Sequence, residues 1–562
     1  MGARAAQLGA WLWNYRRADL RSDISAGVIV AVMLVPQAMA YAMLAGLPPV
    51  VGLYASTFPL VAYALFGTSR QLAVGPVAIV SLLVADACSK LANGDSAQFL
   101  GLAVTLALLV GAVQLVLGLV RAGFLVNFVS HAVVSGFTSA GAIIIGLSQL
   151  QHLLGIKLAG GHAAYAVLWE AICHLGDAHG LTVLFGFGAT ALLLGAKYLR
   201  VRFPMTLPVI AVATLLVWWF KLEEHGLRSV GAVPAGLPAW RVPTLAHAGD
   251  LLTPALVIVF ISFMESIAVA QWIATREKYR VDASRELIGL GLANVVAAFC
   301  SGYPVTGGFS RTAVNYQSGA RTPLASLISA ALVLLTLLAF TPLFTHLPNA
   351  VLAAVIMVAV VGLIDFQEAR HLFKIKRADG WVFLVTFAVT LGVGMDSGLI
   401  CGIVLSLLLF IARSARPRIS ILGRIGDGHE YRDLRRYPDA VTNPAIIMLR
   451  VDASMYFANA RFVEDRIRLE LLRQPQARWV LLDMSGVNDI DAVAVRTFEE
   501  LMQDCASQGV RFAFAGMKAP LRDIVSRAGW ADKLGKAMIY PSLSHALPEL
   551  VATAMEPPPA AQ

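Results

Sequence analysis

GTSRQLAVGPVAIVSLLVA, residues 67–85, and SGYPVTGGFSRTAVNYQSG, residues 301–319, are the two stretches on which the reading of this chain turns. Each is a Gly/Pro-rich run passing into a hydrophobic segment shorter than the roughly 20 residues that cross a bilayer. Counting outward from them, apolar segments are expected at 24–46, 51–66, 75–87, 99–119, 125–150, 181–199, 204–220, 251–275, 285–300, 309–319, 323–341, 350–365, 379–395 and 397–413. The interrupted stretches are third in the first seven and third in the second seven. Short, interrupted segments at corresponding places in two halves predict an inverted repeat with a binding site near the membrane midplane. A fainter echo agrees: QAMAYA from Gln37, in the first segment, can be laid on ESIAVA from Glu265, in the eighth.

Composition requires the membrane. Of 562 residues, 58% are hydrophobic and 14% charged, with a mean hydropathy of +0.71, against about 45–50% and about 25% in soluble domains. A soluble enzyme, a disordered chain and a collagen-like repeat are thereby excluded. Cys88, Cys173, Cys300, Cys401 and Cys505 have neither disulfide-framework nor metal-ligand spacing, and read as small buried hydrophobes. No metal or cofactor is expected.

The net charge of +9 raises nucleic acid as a partner, but residues 441–551 carry 13 basic and 13 acidic side chains, so the excess lies elsewhere. It sits in loops of the membrane part. Lys197, Arg200 and Arg202, then Arg276, Lys278, Arg280 and Arg285, then Arg370, Lys374, Lys376 and Arg377 fall on one face, with Arg70, Arg121 and Arg321. The opposite loops, 151–180 and 221–250, carry Glu170, Asp177, Glu223, Glu224 and Asp250. Because basic loops stay in the cytoplasm, both termini are expected there, with the chain in the cell's inner (plasma) membrane and no nucleic-acid partner.

The domain plan is then an N-terminal interfacial segment at 1–23, with Trp11, Trp13, Arg16 and Arg17 against the membrane and no cleavable signal, and a transmembrane domain at 24–415. A basic linker at 416–440, with Arg416, Arg418 and Arg424, precedes a small domain at 441–552 and a disordered tail at 553–562. In the small domain, apolar runs at 445–451, 479–487 and 510–516 alternate with amphipathic stretches near 459–473, 491–507 and 520–528, the pattern of an α/β sheet. The expected fold is an all-α polytopic membrane domain followed by a small cytoplasmic α/β domain.

A helix that starts inside the membrane presents unpaired N–H groups and about half a positive charge, so two facing starts make an anion site. One start is expected near Gly75-Pro76-Val77-Ala78, with proline in the first turn, and the other near Phe309-Ser310-Arg311-Thr312, where Gly307 and Gly308 admit close approach. Arg311 is the most informative residue: an intramembrane charge is costly, and at the positive end of a helix it calls for an anion. Ser310 and Thr312 offer hydroxyls beside it. Glu265, alone among carboxylates in its span, suits proton coupling or balancing Arg311. Gln37 can hydrogen-bond an anion from the far side of the pocket, and Tyr41 shares its helix face. Asp86, Asp365 and Asp396 read as interfacial, and His131 and His152 as helix-end residues. With no phosphate loop, dinucleotide fingerprint, HExxH or GxSxG, no catalytic residues are expected and transport must draw on an ion gradient.

The run VPQAMAYAMLAGLPPVVGLYASTFPLVAYALFGTSRQLAVGPVAIVSLLVA (35–85) resembles the signature of the sulfate permease (SulP) family of anion transporters, and PVTGGFSRTAVNYQSGARTPL (304–324) resembles that family's tenth-span motif. LLDMSGVNDIDAVAV (481–495) is similar to a STAS domain. The resemblance implies a seven-plus-seven inverted repeat divided into a core (spans 1–4 and 8–11) and a gate (spans 5–7 and 12–14), working as a homodimer by an elevator-like movement. Its anion pocket carries over to Gln37, Val77, Ala78, Ser310 and Arg311, and its acidic coupling position to Glu265, which favours a proton over sodium. In one respect the sequence departs: where STAS antagonists carry a phosphorylated serine, Asp491 is followed by Ala492. The function implied is proton-coupled symport or exchange of a small oxyanion, sulfate ahead of bicarbonate and of C4-dicarboxylates such as fumarate and succinate. A passive anion channel and a nucleobase–cation symporter are the alternatives, and the STAS-like segment speaks against the latter. Expected partners are the anion, the proton, the lipid bilayer, a second copy and a cytoplasmic partner of the STAS domain.

Overall fold

A computed structural model describes residues 11, 15–92, 94–124, 130–156, 164–199, 205–426 and 430–555. Trp13, Arg200, Arg202 and the tail beyond Met555 lie outside the described residues, as do the side chains of Lys197 and Asp396. The chain forms two compact units, Met1–Ser406 and Leu407–Gln562.

Among the described residues, fourteen helical segments, numbered as spans, follow the apolar segments in order, and eight helices are long and apolar enough to cross a membrane. The first seven are Leu20–Leu44, Pro49–Phe66, Ala78–Ser89, Ser96–Leu119, His131–Leu154, Gly180–Tyr198 and Thr206–Phe220. The second seven are Ala248–Arg276, Ala283–Phe299, Phe309–Gln317, Leu324–Phe344, Asn349–Val361, Arg377–Gly392 and Met395–Ala415. Spans 3 and 10, with 12 and 9 residues, are the short ones. Each is preceded by a two-residue strand, β1 (Val74–Gly75) and β2 (Thr306–Gly307).

Helix packing repeats under exchange of span n with span n+7. Span 1 packs on span 11 and span 8 on span 4; span 1 meets span 10 and span 8 meets span 3; span 5 packs on span 13 and span 12 on span 6. Spans 2 and 9 pack on each other, and β1 pairs antiparallel with β2, as a two-fold relation between the halves requires. Close approach depends on missing side chains: a Cβ on Gly291 would stand 2.9 Å from the Gly111 carbonyl, and one on Gly111 would stand 2.8 Å from the Gly291 carbonyl. The two glycines let spans 4 and 9 touch backbone to backbone. Span 1 is where core and gate meet most directly, since it also touches spans 7 and 12.

In the second unit a five-stranded sheet has β3 (Ile419–Arg424), β4 (Tyr431–Asp433), β5 (Ile446–Val451), β6 (Trp479–Asp483) and β7 (Arg511–Ala515) in the order β4-β3-β5-β6-β7, the last three parallel. Helices Ala460–Arg473, Ala492–Ser507 and Ala519–Arg527 lie close to the amphipathic stretches read from sequence. The reading of 416–440 as a linker differs from the structure. Ile419–Arg424 forms β3 and pairs antiparallel with β5, and Tyr431–Asp433 forms β4 at the edge. The apolar run of β3 is short, residues 419–422 with Ser420 inside it, and is framed by Arg416, Arg418 and Arg424, which is why the segment resembles a linker. Asp491 caps the helix that follows it, accepting from the Ala494 N–H at 2.8 Å, so its position is structural whether or not a serine follows.

Candidate functional site

The half-helix starts are built by β1 and β2, where Val74 faces Gly307 and Gly75 faces Thr306. Val77 and Gly308, the residues before spans 3 and 10, are extended and provide no side-chain cap. The first N–H groups of both helices therefore find no acceptor on their own N-cap residues and converge with their partial positive charge. Pro76 does not occupy the first helical turn as expected: β1 carries the chain past it, and span 3 begins at Ala78. Its carbonyl has another use, accepting from Arg311 Nη1 at 2.5 Å.

A buried polar lattice holds this ribbon. Asn294 of span 9 brackets Val305, donating to its carbonyl at 3.0 Å and accepting from its N–H at 2.7 Å. Gln114 of span 4 accepts from Asn294 and donates to Ser262 of span 8. Ser266 Oγ, one turn on, accepts from the Gly307 N–H at 2.9 Å and meets Thr306 Oγ1 at 2.8 Å. On the other strand, Thr312 accepts from the Ala73 N–H, and Asn315 donates to the Gln71 carbonyl. Apart from Asn315 Oδ1, which is buried without a partner, this network is paired within itself and fixes positions.

What it positions is different. A cavity of about 60 Å³ is lined by Gln37 and Tyr41 of span 1, Val77 and Ala78 at span 3, Glu265 of span 8, and Ser310 and Arg311 of span 10. Ala359, Val360 and Leu363 of span 12 and its exit form the facing wall. All seven residues expected at the site thus line one cavity. Arg311 is 2% exposed, and beyond its bond to Pro76 its Nε and Nη2 are buried without a partner. Gln37 Oε1 and Glu265 Oε2 are likewise buried and unpartnered, while the Phe309 N–H is directed at the Glu265 carboxylate. Among the described residues no ion pair joins Arg311 to Glu265. A buried charged donor left unpaired costs about 1–3 kcal/mol or more, and no acceptor for Nε or Nη2 is found among the described residues. Gly308 leaves room for this side chain, because a Cβ on it would stand 3.0 Å from Arg311 Nη2 and press the guanidinium aside.

A second cavity of about 460 Å³ shares Gln37, Phe309, Ser310, Ala359 and Leu363 with the first. It runs between spans 1 and 10 on one side and spans 6, 7 and 12 on the other, reaching Gln317 at the end of span 10 and Thr206 at the start of span 7. Those ends lie on the base-rich face, so the small cavity opens towards that face through the larger one.

The remaining charges fall as expected at helix ends. Asp86 pairs with Lys90 at 2.7 Å, Asp365 caps the helix Phe366–Ile375, and His131 lies 3.6 Å from Glu368. His152 lies in the last turn of Leu150–Leu154. Two buried carboxylates escape the sequence reading. Glu286, at the start of span 9, accepts from Tyr63 Oη at 2.6 Å and from the N–H groups of Thr68 and Ser69 at 2.6 and 2.9 Å. Asp23, at the start of span 1, accepts from the N–H groups of Arg321 and Thr322 at 2.7 and 3.1 Å. They clamp the loop entering β1 and the loop leaving span 10. Each lies in the first turn of its helix, where an acidic residue reads as ordinary helix-end chemistry; its burial was the missing signal.

Comparison with known proteins agrees in both units. Residues 20–386 match the sulfate permease family and residues 437–546 match the STAS domain. The chain is 36% identical over 552 residues to sulfate transporter 4.1, chloroplastic, of Arabidopsis thaliana, covering 94% of this chain and 80% of that protein. In fold it is similar to the murine anion transporter Slc26a9 in its inward-facing state, with a TM-score of 0.92 and 24% identity over 98% of this chain and 95% of that one. The transmembrane domain of the cyanobacterial bicarbonate transporter BicA aligns with a TM-score of 0.60 and 23% identity, over 70% of this chain and 98% of that one.

Proposed function

The chain belongs to the sulfate permease family, and on that premise we propose that it is a secondary active, proton-coupled carrier of a small oxyanion, with sulfate the preferred substrate. The observation that carries this reading is the pair of unpartnered Arg311 donors lying between two half-helix starts, in a cavity that Glu265 also enters. A tetrahedral dianion supplies acceptors for Nε, Nη2 and the free helix N–H groups together. Protonation of Glu265 removes a negative charge from the same cavity, so proton and anion entry are favourable together, which is the electrostatic basis of symport. The sulfate transporters among its relatives support the substrate, and the base-rich face of the spans supports a cytoplasmic placement of that face in the inner (plasma) membrane. We take the working unit to be a homodimer in which the core carries the pocket past the gate.

The experiment is uptake of radiolabelled sulfate by proteoliposomes, with and without an imposed pH gradient, competed with selenate, bicarbonate, fumarate, succinate and chloride. Accumulation above equilibrium that follows the proton gradient and is competed by selenate is expected. Uptake that only equilibrates would make the protein a passive conductor, and preferential competition by bicarbonate or dicarboxylates would reassign the substrate.

A further inference from the structure

A third cavity, of about 730 Å³, lies on the base-rich face and shares no lining residue with the two cavities of the transport pathway. Four separated segments of the core wall it: the N-terminal stretch, the loop after span 2, the turn from span 8 to span 9, and the loop after span 10. Each brings arginine. Arg16, Arg70, Arg280, Arg285 and Arg321 all line it, with the carboxylates Asp19, Glu277 and Asp282.

Two of those carboxylates are engaged elsewhere. Asp282 caps span 9 by accepting from the N–H groups of Ser284 and Arg285, and Glu277 accepts from Tyr316 Oη at 2.9 Å. Arg70 stacks over the Tyr279 ring at 5.1 Å. The side chains of Arg16, Arg280 and Arg321 make no ion pair among the described residues, although acids share their cavity. The floor is rigid, because Glu286 holds Thr68 and Asp23 holds Thr322. The Trp11 indole closes one side, donating to the Ala64 carbonyl at 3.0 Å.

We propose that this cavity binds a phosphate group, presented by the headgroup of an anionic lipid or by a soluble phosphate compound, and that it thereby braces the core. Guanidinium forks match phosphate oxygens bidentately and retain their charge at every physiological pH. A cavity of this volume at the membrane rim, with an aromatic side chain at its edge, has the character of a lipid headgroup site. Bridging would join the loop that enters β1 to the loop that leaves span 10, so occupancy would stiffen both connections to the transport pocket without touching it.

The test uses the full-length protein with two probes: inorganic pyrophosphate in detergent, read by thermal melting, and phosphatidic acid against phosphatidylcholine in vesicles, read by native mass spectrometry of retained lipid. Wild type is expected to bind at least one probe, and Arg280→Gln combined with Arg321→Gln to weaken that binding by about tenfold or more. Both side chains are exposed, so the unliganded melting temperature of the double variant should match wild type; the corresponding pair of lysine substitutions should restore part of the binding. Lipid retention without a pyrophosphate effect assigns the headgroup, and the reverse assigns a soluble phosphate. Binding of neither probe, or equal binding by wild type and the glutamine variant, overturns the proposal. A pyrophosphate effect that vanishes in Arg311→Ala also overturns it, since the ion would then occupy the transport pocket. None of these measurements requires transport, so failure here is distinguishable from failure of the sulfate reading.

Discussion

Arg311 of span 10 donates to the carbonyl of Pro76 at the entry to span 3, across the β1–β2 pair, and this bond links the two half-helices through a side chain whose remaining donors line the cavity. One guanidinium edge is structural and the other faces the cavity.

Arg311→Ala is therefore expected to abolish sulfate uptake with the protein still folded, as judged by melting and by monodispersity in detergent. Arg311→Lys retains charge but not the fork that serves Pro76 and anion together. Loss of one charge-assisted bond, about 1.5–3 kcal/mol, predicts roughly a 10- to 100-fold loss in transport at subsaturating sulfate. Uptake by the lysine variant at the wild-type rate would remove Arg311 from the recognition role.

Glu265→Gln is expected to uncouple rather than inactivate. Counterflow of sulfate between equal concentrations should survive, while accumulation driven by a pH gradient should disappear. If accumulation persists, the coupling proton is carried by another group.

Gly308→Ala tests the geometry from the backbone side. Its Cβ would press within 3.0 Å of Arg311 Nη2, so KM for sulfate should rise several-fold with little change in melting. Gly291→Val, at the crossing of spans 4 and 9, should behave oppositely, lowering the melting temperature through overpacking of about 1–3 kcal/mol. Identical behaviour of the two variants would contradict the division between pocket and scaffold.

Glu286→Gln leaves a buried amide NH₂ facing donors that now meet a carboxylate, at a cost on the order of 2–3 kcal/mol. Residues 67–73 should lose protection in hydrogen exchange, and transport should fall because those residues lead into β1. Unchanged exchange in that loop would count against the clamp.

In the second unit, burial raises the Asp433 carboxyl, but hydrogen bonds from the Arg435 N–H, the Arg418 guanidinium and Ser420 Oγ outweigh it and hold the group below its ordinary value. A carboxyl depressed in the folded state contributes stability that is present above its unfolded value of about 4 and is lost as pH falls through the folded one. Acidification below about pH 4 should thus loosen β3 and β4, seen as faster hydrogen exchange at residues 419–433, and Asp433→Asn should flatten that dependence. An unaltered acid profile in the variant would assign the loss to other groups.

Much of this site was legible in the sequence because charge inside an apolar segment has few explanations. Arg311, Glu265 and Gln37 stand out against spans of alanine, valine and leucine, and the Gly/Pro runs before spans 3 and 10 mark where helices must start late. What sequence withheld depends on partners distant in the chain. Asn294 and Gln114 look like stray amides until folding places them 3.0 Å apart. Pro76 reads as a helix-starting residue because propensity is local, whereas its carbonyl is claimed by a side chain 235 positions away. β3 was hidden for a related reason: the short apolar run in Ile419–Arg424 is framed by arginines, and its partner strand β5 begins only at Ile446.

The ribbon of β1 and β2 bears on how the pocket could move. The pocket is sewn together by strand pairing, by the Arg311 bond and by the Asn294 bracket, all within the core. On the reading proposed above, an anion held there moves with the ribbon and both half-helix starts, while the wall supplied by Ala359, Val360 and Leu363 of span 12 and its exit is left behind. The donors offered to it are then the same set at both faces of the membrane, and net direction follows from concentrations and protonation on either side.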